Sequence, residues 1–331
     1  MTRRALLTCA LLAAAVACRR ADAPPATAAR PKVRVLITPH VSFAPLMIAQ
    51  AERFFEQEGV DVEVVSGLRA EESVAAVVTG QIDVLPGPLR AGLLSAIAQG
   101  AKVRIAAGQG ELARDGCTYF ALVLRPGLEP SAATPIRKMR TSQDGATRYV
   151  VSRMLEPHGI DVKSVETVRI PEAVMVASLE RGSIDAVAVS EPALTRTSKA
   201  GRVWIRAQDA VPDFQWGVLV FGERLLTKDR DAGLRFLRAY ERGVARYREG
   251  KTARNVAIIA QATGESEAIT REACWPTFRA GSPIEWQSIE QFQRWANSER
   301  LMEHTLTRDQ VVDSAFAGAI PVSTALAPST P

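Results

Sequence analysis

The side chains that most often carry out protein chemistry are sparse and widely spaced in this 331-residue chain. The histidines stand at positions 40, 158 and 304, and the four cysteines form no Cys-x-x-Cys pair, so the usual spacing of a metal site is absent. The nucleophile and zinc motifs G-x-S-x-G, S-x-x-K and H-E-x-x-H are also absent. The sequence therefore favours binding over catalysis, and it predicts no metal and no cofactor.

Composition and charge narrow the range of partners. The chain is 47% hydrophobic and 23% charged, which is ordinary for a globular protein of one or two domains. Its net charge of +5 comes from scattered basic residues, without a Lys/Arg run interleaved with aromatic residues. We therefore expect no nucleic-acid partner.

The first 18 residues have the pattern of an export signal. Arg3 and Arg4 precede thirteen almost wholly apolar residues, which is fewer than the ~20 that a membrane-spanning helix needs. Ala15-Val16-Ala17-Cys18 is similar to a bacterial lipobox, whose cysteine is lipidated, although that pattern usually has Leu where Ala15 stands. Cleavage without lipidation is the alternative, and the arginine pair also resembles a twin-arginine signal. We expect an exported protein in the periplasm or at the cell surface, attached to the membrane only through lipid on Cys18.

Two parts of the chain repeat one unit. Glu56–Val62 matches Glu156–Val162, and Val77–Val84 matches Leu179–Ala186, at offsets of 100 and 102 positions. In each match a glycine follows a helical segment, where a positive φ ends the helix. The surrounding strand and helix patterns alternate as βαβαβ, which predicts an α/β fold with two lobes, each a mostly parallel sheet flanked by helices.

This alternation also predicts the domain limits. A flexible, Pro/Ala-rich tether is expected at 19–31 and an unstructured tail at 319–331. The first lobe is predicted to comprise 32–120 and 220–318, and the second 121–219. The strands within 118–125 and 216–222 are expected to form the two hinge crossings between the lobes.

Several of these motifs together resemble a known family. They are Ala44-Pro45 with Ile48-Ala49, Phe54–Val60, Gly80-x-Ile82-Asp83, Leu155-x-x-x-Gly159-Ile160, and Gly182-x-Ile184-Asp185-Ala186 followed by Glu191-Pro192. In order and spacing they are similar to the type 2 periplasmic solute-binding proteins of ABC importers, specifically the nitrate/sulfonate/taurine and thiamine-pyrimidine-precursor group.

The resemblance implies a function without catalysis. A monomeric protein of this kind would close over a small molecule in the cleft between its lobes and deliver it to the permease and ATPase subunits. Two alternatives stay open: an enzyme of the same fold that acts on a small metabolite, and a ligand-sensing partner of a membrane receptor.

Ligands of open α/β sheets lie beyond the carboxyl ends of the strands, where helix N-termini offer unpaired N–H groups. This rule predicts the binding residues Ser42, Phe43, Pro45, Gly87, Pro88, Gln109, Ser142, Asp144, Gly145, Thr147, Glu191 and Trp216. Ser42 and Ser142 are alternatively plain helix caps, Glu191 a solvated loop charge, and Trp216 a packing residue.

Two opposed features of this set bear on the ligand. Helix N-termini favour an oxyanion, which Arg148 would strengthen, whereas Glu191 and Asp144 favour a ligand with N–H groups. A taurine-like sulfonate satisfies both features and is the first expectation. The pyrimidine precursor of thiamine, stacked on Trp216, is the second.

With Cys18 lipidated, Cys117 and Cys274 are the only thiols that remain after processing. An exported protein folds in an oxidising compartment, so a single disulfide is possible. The sequence gives no distance between the two residues, and the pairing stays open at this stage.

The lipid anchor has a direct test. Cys18→Ala removes the acceptor thiol and should move the protein from the membrane fraction to the soluble periplasm or medium. Cys9→Ala, inside the apolar segment of the signal, is the matched control and should leave fractionation unchanged. Membrane attachment that survives Cys18→Ala would contradict the lipobox interpretation.

Overall fold

The computed structural model describes residues 29–141 and 145–319. The predicted signal peptide with Cys18, most of the tether, and the predicted site residues Ser142 and Asp144 lie outside the described residues.

Strands in the described residues build two five-stranded sheets. Their bounds are β1 Lys32–Leu36, β2 Asp61–Val65, β3 Val84–Pro88, β4 Arg104–Leu112, β5 Phe120–Leu124, β6 Lys138–Arg140, β7 Glu166–Val168, β8 Ala186–Ser190, β9 Arg202–Arg206 and β10 Phe214–Phe221.

The α-helices flank these sheets and fill much of the C-terminal third of the chain. Their bounds are α1 Ala44–Ala51, α2 Phe54–Gln57, α3 Ala70–Val78, α4 Ala91–Ala98, α5 Gly145–Leu155, α6 Glu172–Glu180, α7 Ala193–Ala200, α8 Ala207–Ala210, α9 Arg230–Tyr247, α10 Ala253–Thr263, α11 Glu267–Glu272, α12 Trp286–Ser298, α13 Arg308–Val311 and α14 Ser314–Gly318. Short 3₁₀ turns occupy Val41–Phe43, Glu156–His158 and Val162–Ser164, and a π-helical turn occupies Arg224–Lys228.

The two sheets share one topology. The first has the order β2-β1-β3-β10-β4 and the second the order β7-β6-β8-β5-β9. In each, the first three strands are parallel, and the fourth (β10 or β5) runs antiparallel to both of its neighbours. The predicted α/β class is confirmed. Each sheet is mixed because its fourth strand is the one that directly follows a connection from the other sheet.

The repeat seen in the sequence has a structural equivalent. The glycines of both matches have positive φ: Gly59 at 76°, Gly80 at 73°, Gly159 at 66° and Gly182 at 68°. Only glycine adopts this conformation without strain, and it ends each preceding helical turn. The predicted role of these glycines is confirmed.

Asp83, three positions after the repeat glycine Gly80, ties neighbouring strands of the first sheet together. The Asp83 carboxylate accepts hydrogen bonds from the Arg34 backbone N–H (2.8 Å) and from the side chains of Arg34 and Arg224 (3.0–3.1 Å). Burial raises the pKa of Asp83, but these hydrogen bonds outweigh burial and leave the pKa below its ordinary value.

Asp185 does the same in the second sheet. Its carboxylate accepts from the backbone N–H groups of Arg137 (2.8 Å) and Lys138 (3.0 Å) and from the Arg125 side chain (3.1 Å). Burial again raises its pKa, and the hydrogen bonds again lower it below the ordinary value. Each aspartate thus fixes β1 or β6 beside β3 or β8.

The helical segment that precedes Gly59 is divided into two helices. α1 ends at Ala51, Arg53 adopts a left-handed conformation with φ of 58°, and α2 begins at Phe54. Both Phe54 and Phe55 are buried after this break. The left-handed residue changes the direction of the chain before α2, and Phe55 stacks on Phe236 with ring centroids 5.0 Å apart.

The connections between the sheets differ from the predicted hinge crossings. Segments 118–125 and 216–222 are largely the strands β5 and β10, which are hydrogen-bonded on both sides. The chain passes between the sheets at 113–119 and 207–213, and these connections touch: the Arg114 backbone N–H donates to the Asp213 carboxylate at 2.9 Å. A segment inside a central ladder is too restrained to be a hinge.

A disulfide secures one of these connections. Cys117 is bonded to Cys274, 157 positions later, which resolves the pairing that the sequence left open. Closing so long a loop stabilises the fold by about 2–5 kcal/mol through the unfolded chain. In the described part of the chain, no helix combines the length and the apolar character that crossing a membrane requires.

The strand-tying carboxylates predict how stability depends on pH. Because folding lowers both pKa values, their stabilisation is complete above the unfolded-state pKa of about 3.9 and is lost as pH falls through the folded-state values. Asp83→Asn and Asp185→Asn should each lower the free energy of unfolding at neutral pH by roughly 1.5–3 kcal/mol, as expected for hydrogen bonds to a charged group. Both should also weaken the pH dependence of thermal unfolding in acid.

The matched control is Glu63→Gln in β2, whose carboxylate forms an exposed ion pair with Lys32 at 3.2 Å. Exposed pairs contribute about 0–1 kcal/mol, so this variant should unfold almost as the parent protein does. Equal losses in all three variants, measured by denaturant titration at neutral pH, would refute the role of the two aspartates.

Candidate functional site

The carboxyl ends of the parallel strands in the two sheets meet, and we call this region the junction. The first sheet contributes the segment after β1, the Leu89 segment after β3, and Gln109 in β4. The second sheet contributes Tyr119 before β5 and the residues that follow β6 and β8. The backbone N–H of Ala146 in α5 donates to the Leu89 carbonyl at 2.8 Å, which joins the two sides directly.

Gln109 is a buried polar side chain with spare hydrogen-bonding capacity. It is 1% exposed, and its Nε2 donates to the Ser42 carbonyl at 3.0 Å. Its Oε1 is buried without a partner in the described residues. An unpaired buried acceptor costs about 1–3 kcal/mol, so this amide is available for a bound molecule.

Arg140 and Thr141 bring similar capacity from the end of β6. Among the described residues, the half-buried Arg140 guanidinium has no hydrogen bond and no ion pair within 4 Å, and the Thr141 hydroxyl is buried without a partner. Burial lowers the pKa of Arg140, and Glu172 raises it, with a net lowering. Arginine remains a cation at neutral pH all the same.

His40 approaches this group from the first sheet. Burial lowers the pKa of His40 and Arg140 lowers it further, whereas Glu172 raises it; the net pKa lies below the ordinary value. These effects place His40 near two residues of the second sheet. A neutral imidazole beside the Arg140 guanidinium leaves the positive charge of the junction on the arginine.

Glu191 is buried and its own chain satisfies it. Its carboxylate accepts from the Thr195 N–H (2.9 Å), from the Thr195 hydroxyl (2.9 and 3.0 Å) and from the Cys274 N–H (3.1 Å). Burial raises its pKa, and these bonds together with the charge of Lys251 oppose that rise without cancelling it. The interpretation of Glu191 as a solvated loop charge is wrong, because the residue is 4% exposed.

Aromatic residues close the junction beside the sheet connections. The buried Tyr119 hydroxyl lies near Ser42, Ser190 and Glu191; burial raises its pKa, and hydrogen bonds with the two serines partly offset that rise. Trp216 is 5% exposed and packs edge-on against Tyr119, with ring centroids 5.9 Å apart. Its ring is largely covered by this packing.

Other predicted residues occupy structural positions around the junction. Ser42 lies inside the 3₁₀ turn and is not a side-chain cap, because Phe43 is the N-cap residue of α1 and Pro45 follows in its first turn. Gly87 and Pro88 belong to β3 and pair with Val218 and Gly217 of β10. The backbone of this glycine segment is therefore occupied by the sheet.

The N-terminus of α5 is also partly occupied. Gly145 has a φ of 65°, and a Cβ built on it would lie 2.9 Å from the Leu89 carbonyl oxygen. Thr147 is half-buried in the first turn of α5. Arg148 points away toward Glu299, at 3.8 Å, and does not reinforce an anion site at the helix start.

Sequence reasoning missed His40, Tyr119, Arg140 and Thr141. The sequence held one usable signal for Arg140 and Thr141: they stand at the end of a short strand, directly before the predicted site residue Ser142. The role of Tyr119 depends on its contacts with Ser42, 77 positions earlier, and Ser190, 71 positions later, so no local sequence pattern indicated it. In the described ranges, no three His, Cys, Asp or Glu side chains are grouped so as to hold a metal ion.

The contact between α5 and Leu89 predicts the effect of adding one methyl group. Gly145→Ala should break the hydrogen bond from the Ala146 N–H, because the new Cβ would collide with the Leu89 carbonyl. Amide hydrogen exchange at Ala146 should accelerate strongly in the variant. Gly159→Ala is the matched control, with a φ of 66° and nothing within 4 Å of its Cβ.

Both variants place alanine at a positive φ and should lose about 1 kcal/mol of stability from that strain alone. Faster exchange at Ala146 in both variants, or in neither, would show that the contact with Leu89 does not hold the two sheets together.

Comparisons with known proteins bear on this fold. A model of the NMT1-like family matches residues 26–261. No curated protein matches the chain by sequence.

Solved structures share the fold at low sequence identity. The ligand-binding component of an ABC-type import system from Staphylococcus aureus, with zinc bound, is 15% identical and has a TM-score of 0.71, over 88% of this chain and 100% of that one. The periplasmic aliphatic sulphonate-binding protein SsuA from Escherichia coli is 15% identical with a TM-score of 0.67, over 85% and 91% of the two chains. The desulfurization enzyme DSZB is 14% identical with a TM-score of 0.64, over 87% and 98%.

These neighbours confirm the type 2 binding-protein fold that the sequence motifs predicted. The family match covers more than half of the chain, including both repeats and the junction segments after β1, β3, β6 and β8. The chain belongs to the NMT1-like family.

Proposed function

We propose that this protein is an exported solute-binding protein that captures a small oxyanion at the junction and delivers it to an ABC importer. One observation carries the proposal: among the residues that the structure describes, the Arg140 guanidinium has no ion-pair partner, and it lies at the same junction as the unpartnered polar atoms of Gln109 and Thr141. Such groups are costly to bury without partners, and a bound molecule would satisfy them.

The chemistry of these groups favours an oxyanion. A guanidinium binds the oxygens of a sulfonate, nitrate or carboxylate through parallel N–H donors. The Thr141 hydroxyl and the Gln109 amide are neutral groups that add hydrogen bonds without a competing charge. A sulfonate or nitrate-like anion fits this set.

The expected amino end of the ligand has less support. It was based on Glu191 and Asp144, and both oxygens of Glu191 already accept hydrogen bonds from Thr195 or Cys274. Asp144 lies outside the described residues. We therefore rank a simple sulfonate or nitrate ahead of an aminosulfonate such as taurine, and ahead of a pyrimidine stacked on the packed Trp216.

Capture requires the junction to open. The hydrogen bond between Ala146 and Leu89 brings the two sheets together across the site, so a ligand enters when they separate. The adjacent connections at 113–119 and 207–213 are the segments where such a rotation would occur. We propose the two sheets with their helices as the two lobes of a monomer.

Comparisons support an import role, since neighbours with this fold are components of ABC-type import systems and a sulphonate-binding protein. The permease and ATPase subunits of an importer are the proposed partners, in the periplasm or at the cell surface. The enzyme alternative has a neighbour in the desulfurization enzyme DSZB. An enzyme of this fold would need an acid/base pair in the cleft, such as Glu191 with Asp144, and both oxygens of Glu191 already accept hydrogen bonds from Thr195 or Cys274. A sensory role would be distinguished by the genes next to this one, which for an importer encode the permease and ATPase.

The anion site is tested by removing the unpaired charge. Arg140→Gln should weaken binding of ethanesulfonate or nitrate by roughly 10- to 150-fold in calorimetric titration, which corresponds to about 1.5–3 kcal/mol for a charged hydrogen bond. Lys138→Gln is the matched control, because it removes one positive charge from the same strand at an exposed ion pair with Glu166. Its affinity should match that of the parent protein.

Two results would overturn the proposal. Equal losses in Arg140→Gln and Lys138→Gln would mean that only the general field of the protein attracts the anion. Turnover of a sulfonate by the unaltered protein would establish the enzyme alternative instead.

A further inference from the structure

A groove of about 350 Å³ lies between α5 and α12, outside the junction. Its lining consists of Tyr149 and Arg153 from α5 with Gln291, Arg294, Trp295 and Ser298 from α12. These spacings of three, four and seven positions place each set on one face of its helix. Tyr149 and Arg153 lie about 6 and 12 Å along the helix axis from Gly145, so the groove begins one turn beyond the junction.

The floor of the groove is an aromatic cluster that the core holds in place. The Tyr149 and Trp295 rings lie 5.5 Å apart, and both residues are almost fully buried. Phe292 and Phe214 pack against Tyr149 at 6.1 and 5.1 Å. Side chains locked in this way give the groove a fixed shape before any ligand arrives.

Two arginines stand over this floor with donors to spare. In the described residues, the exposed Arg294 forms no hydrogen bond or ion pair. Arg153 pairs with Glu156 at 2.9 Å through one nitrogen, while its Nε is buried without an acceptor. Its guanidinium lies 6.0 Å from the centre of the Tyr149 ring.

The phenol of Tyr149 lies close to both cations. Burial raises its pKa, whereas the charges of Arg153 and Arg294 lower it and Glu156 raises it, with a net rise. The phenol therefore stays protonated at neutral pH and keeps an O–H donor. It makes no hydrogen bond within the described part of the chain, so three donor groups around the groove have unused capacity.

We propose that this groove is a second binding site, which takes a small organic or inorganic anion through a carboxylate or phosphate group. Arg153 and Arg294 hold the oxygens, the Tyr149 hydroxyl donates to one of them, and Gln291 and Ser298 bind neutral polar parts. An occupant would bridge α5 and α12. It would thereby restrain the helix whose first turn contacts Leu89 at the junction.

The test uses the purified full chain and two probes, citrate and inorganic phosphate, titrated at constant ionic strength with sodium chloride. Binding is followed by calorimetry and by the midpoint of thermal unfolding. The unaltered protein should bind at least one probe, and Arg153→Gln and Arg294→Gln should each weaken that binding tenfold or more. The Arg294 side chain is exposed, so Arg294→Gln should fold normally. The midpoint of its thermal unfolding without probe checks this.

Two controls separate this site from others. Arg181→Gln, an exposed charge next to α6, should bind the probe as the unaltered protein does. Arg140→Gln removes any binding of the probe at the junction, so the binding that Arg153→Gln and Arg294→Gln weaken should persist in this variant. The proposal fails if neither probe binds, if Arg181→Gln loses as much affinity as Arg294→Gln, or if Arg140→Gln alone removes binding. The last result would assign the probe to the junction and leave the proposed function intact.

Discussion

The hydrogen bonds of two carboxylates, one buried and one half-buried, set the geometry on which the rest of this structure depends. Asp83 and Asp185 each stand before the third parallel strand of a sheet. Asp83 binds a backbone N–H in the middle of β1, and Asp185 binds backbone N–H groups at the start of β6. The reverse contacts also form, since the N–H of each aspartate donates to Arg34 or Lys138 at 2.8 and 2.9 Å. A carboxylate with several donors tolerates burial, and its directional bonds fix the strand register. Within each sheet the parallel strands thereby end at one edge, and the candidate site residues lie at those ends.

The junction divides its polar groups into two kinds. Glu191 is fully satisfied by Thr195 and by the N–H of Cys274, a residue that the disulfide holds beside the sheet connection. Gln109 and Thr141, by contrast, each keep a buried atom that no described residue satisfies, at about 1–3 kcal/mol for each group. Stability alone does not explain why such atoms persist next to an unpaired arginine. Ligand binding does, because a bound oxyanion would complete their hydrogen bonds at the moment when the junction closes over it.

Helix α5 connects the junction to the rest of the molecule. Its first turn contacts Leu89 across the two sheets, and its second and third turns form one wall of the groove against α12. Gly145 is essential to the first contact, because a side chain there would meet the Leu89 carbonyl. A helix packed in this way moves as a rigid unit, so displacement at one end is transmitted to the other. The proposed closure at the junction and the proposed occupancy of the groove would therefore act on the same element.

The sequence by itself determined the α/β class, the repeated unit, the glycines with positive φ and the family. These features are local: alternation of strand and helix patterns depends on neighbouring residues, and a helix-ending glycine depends on its own backbone. Tertiary structure alone decided which polar groups have partners. Glu191 accepts a hydrogen bond from a residue 83 positions later. Arg140 lies near His40, which is 100 positions earlier, and forms no ion pair with any residue that the structure describes. It also decided that Cys117 bonds Cys274, and that β5 and β10 are ladder strands and not hinges. Partnership depends on distances between segments that only the folded chain brings together, and no local pattern encodes those distances.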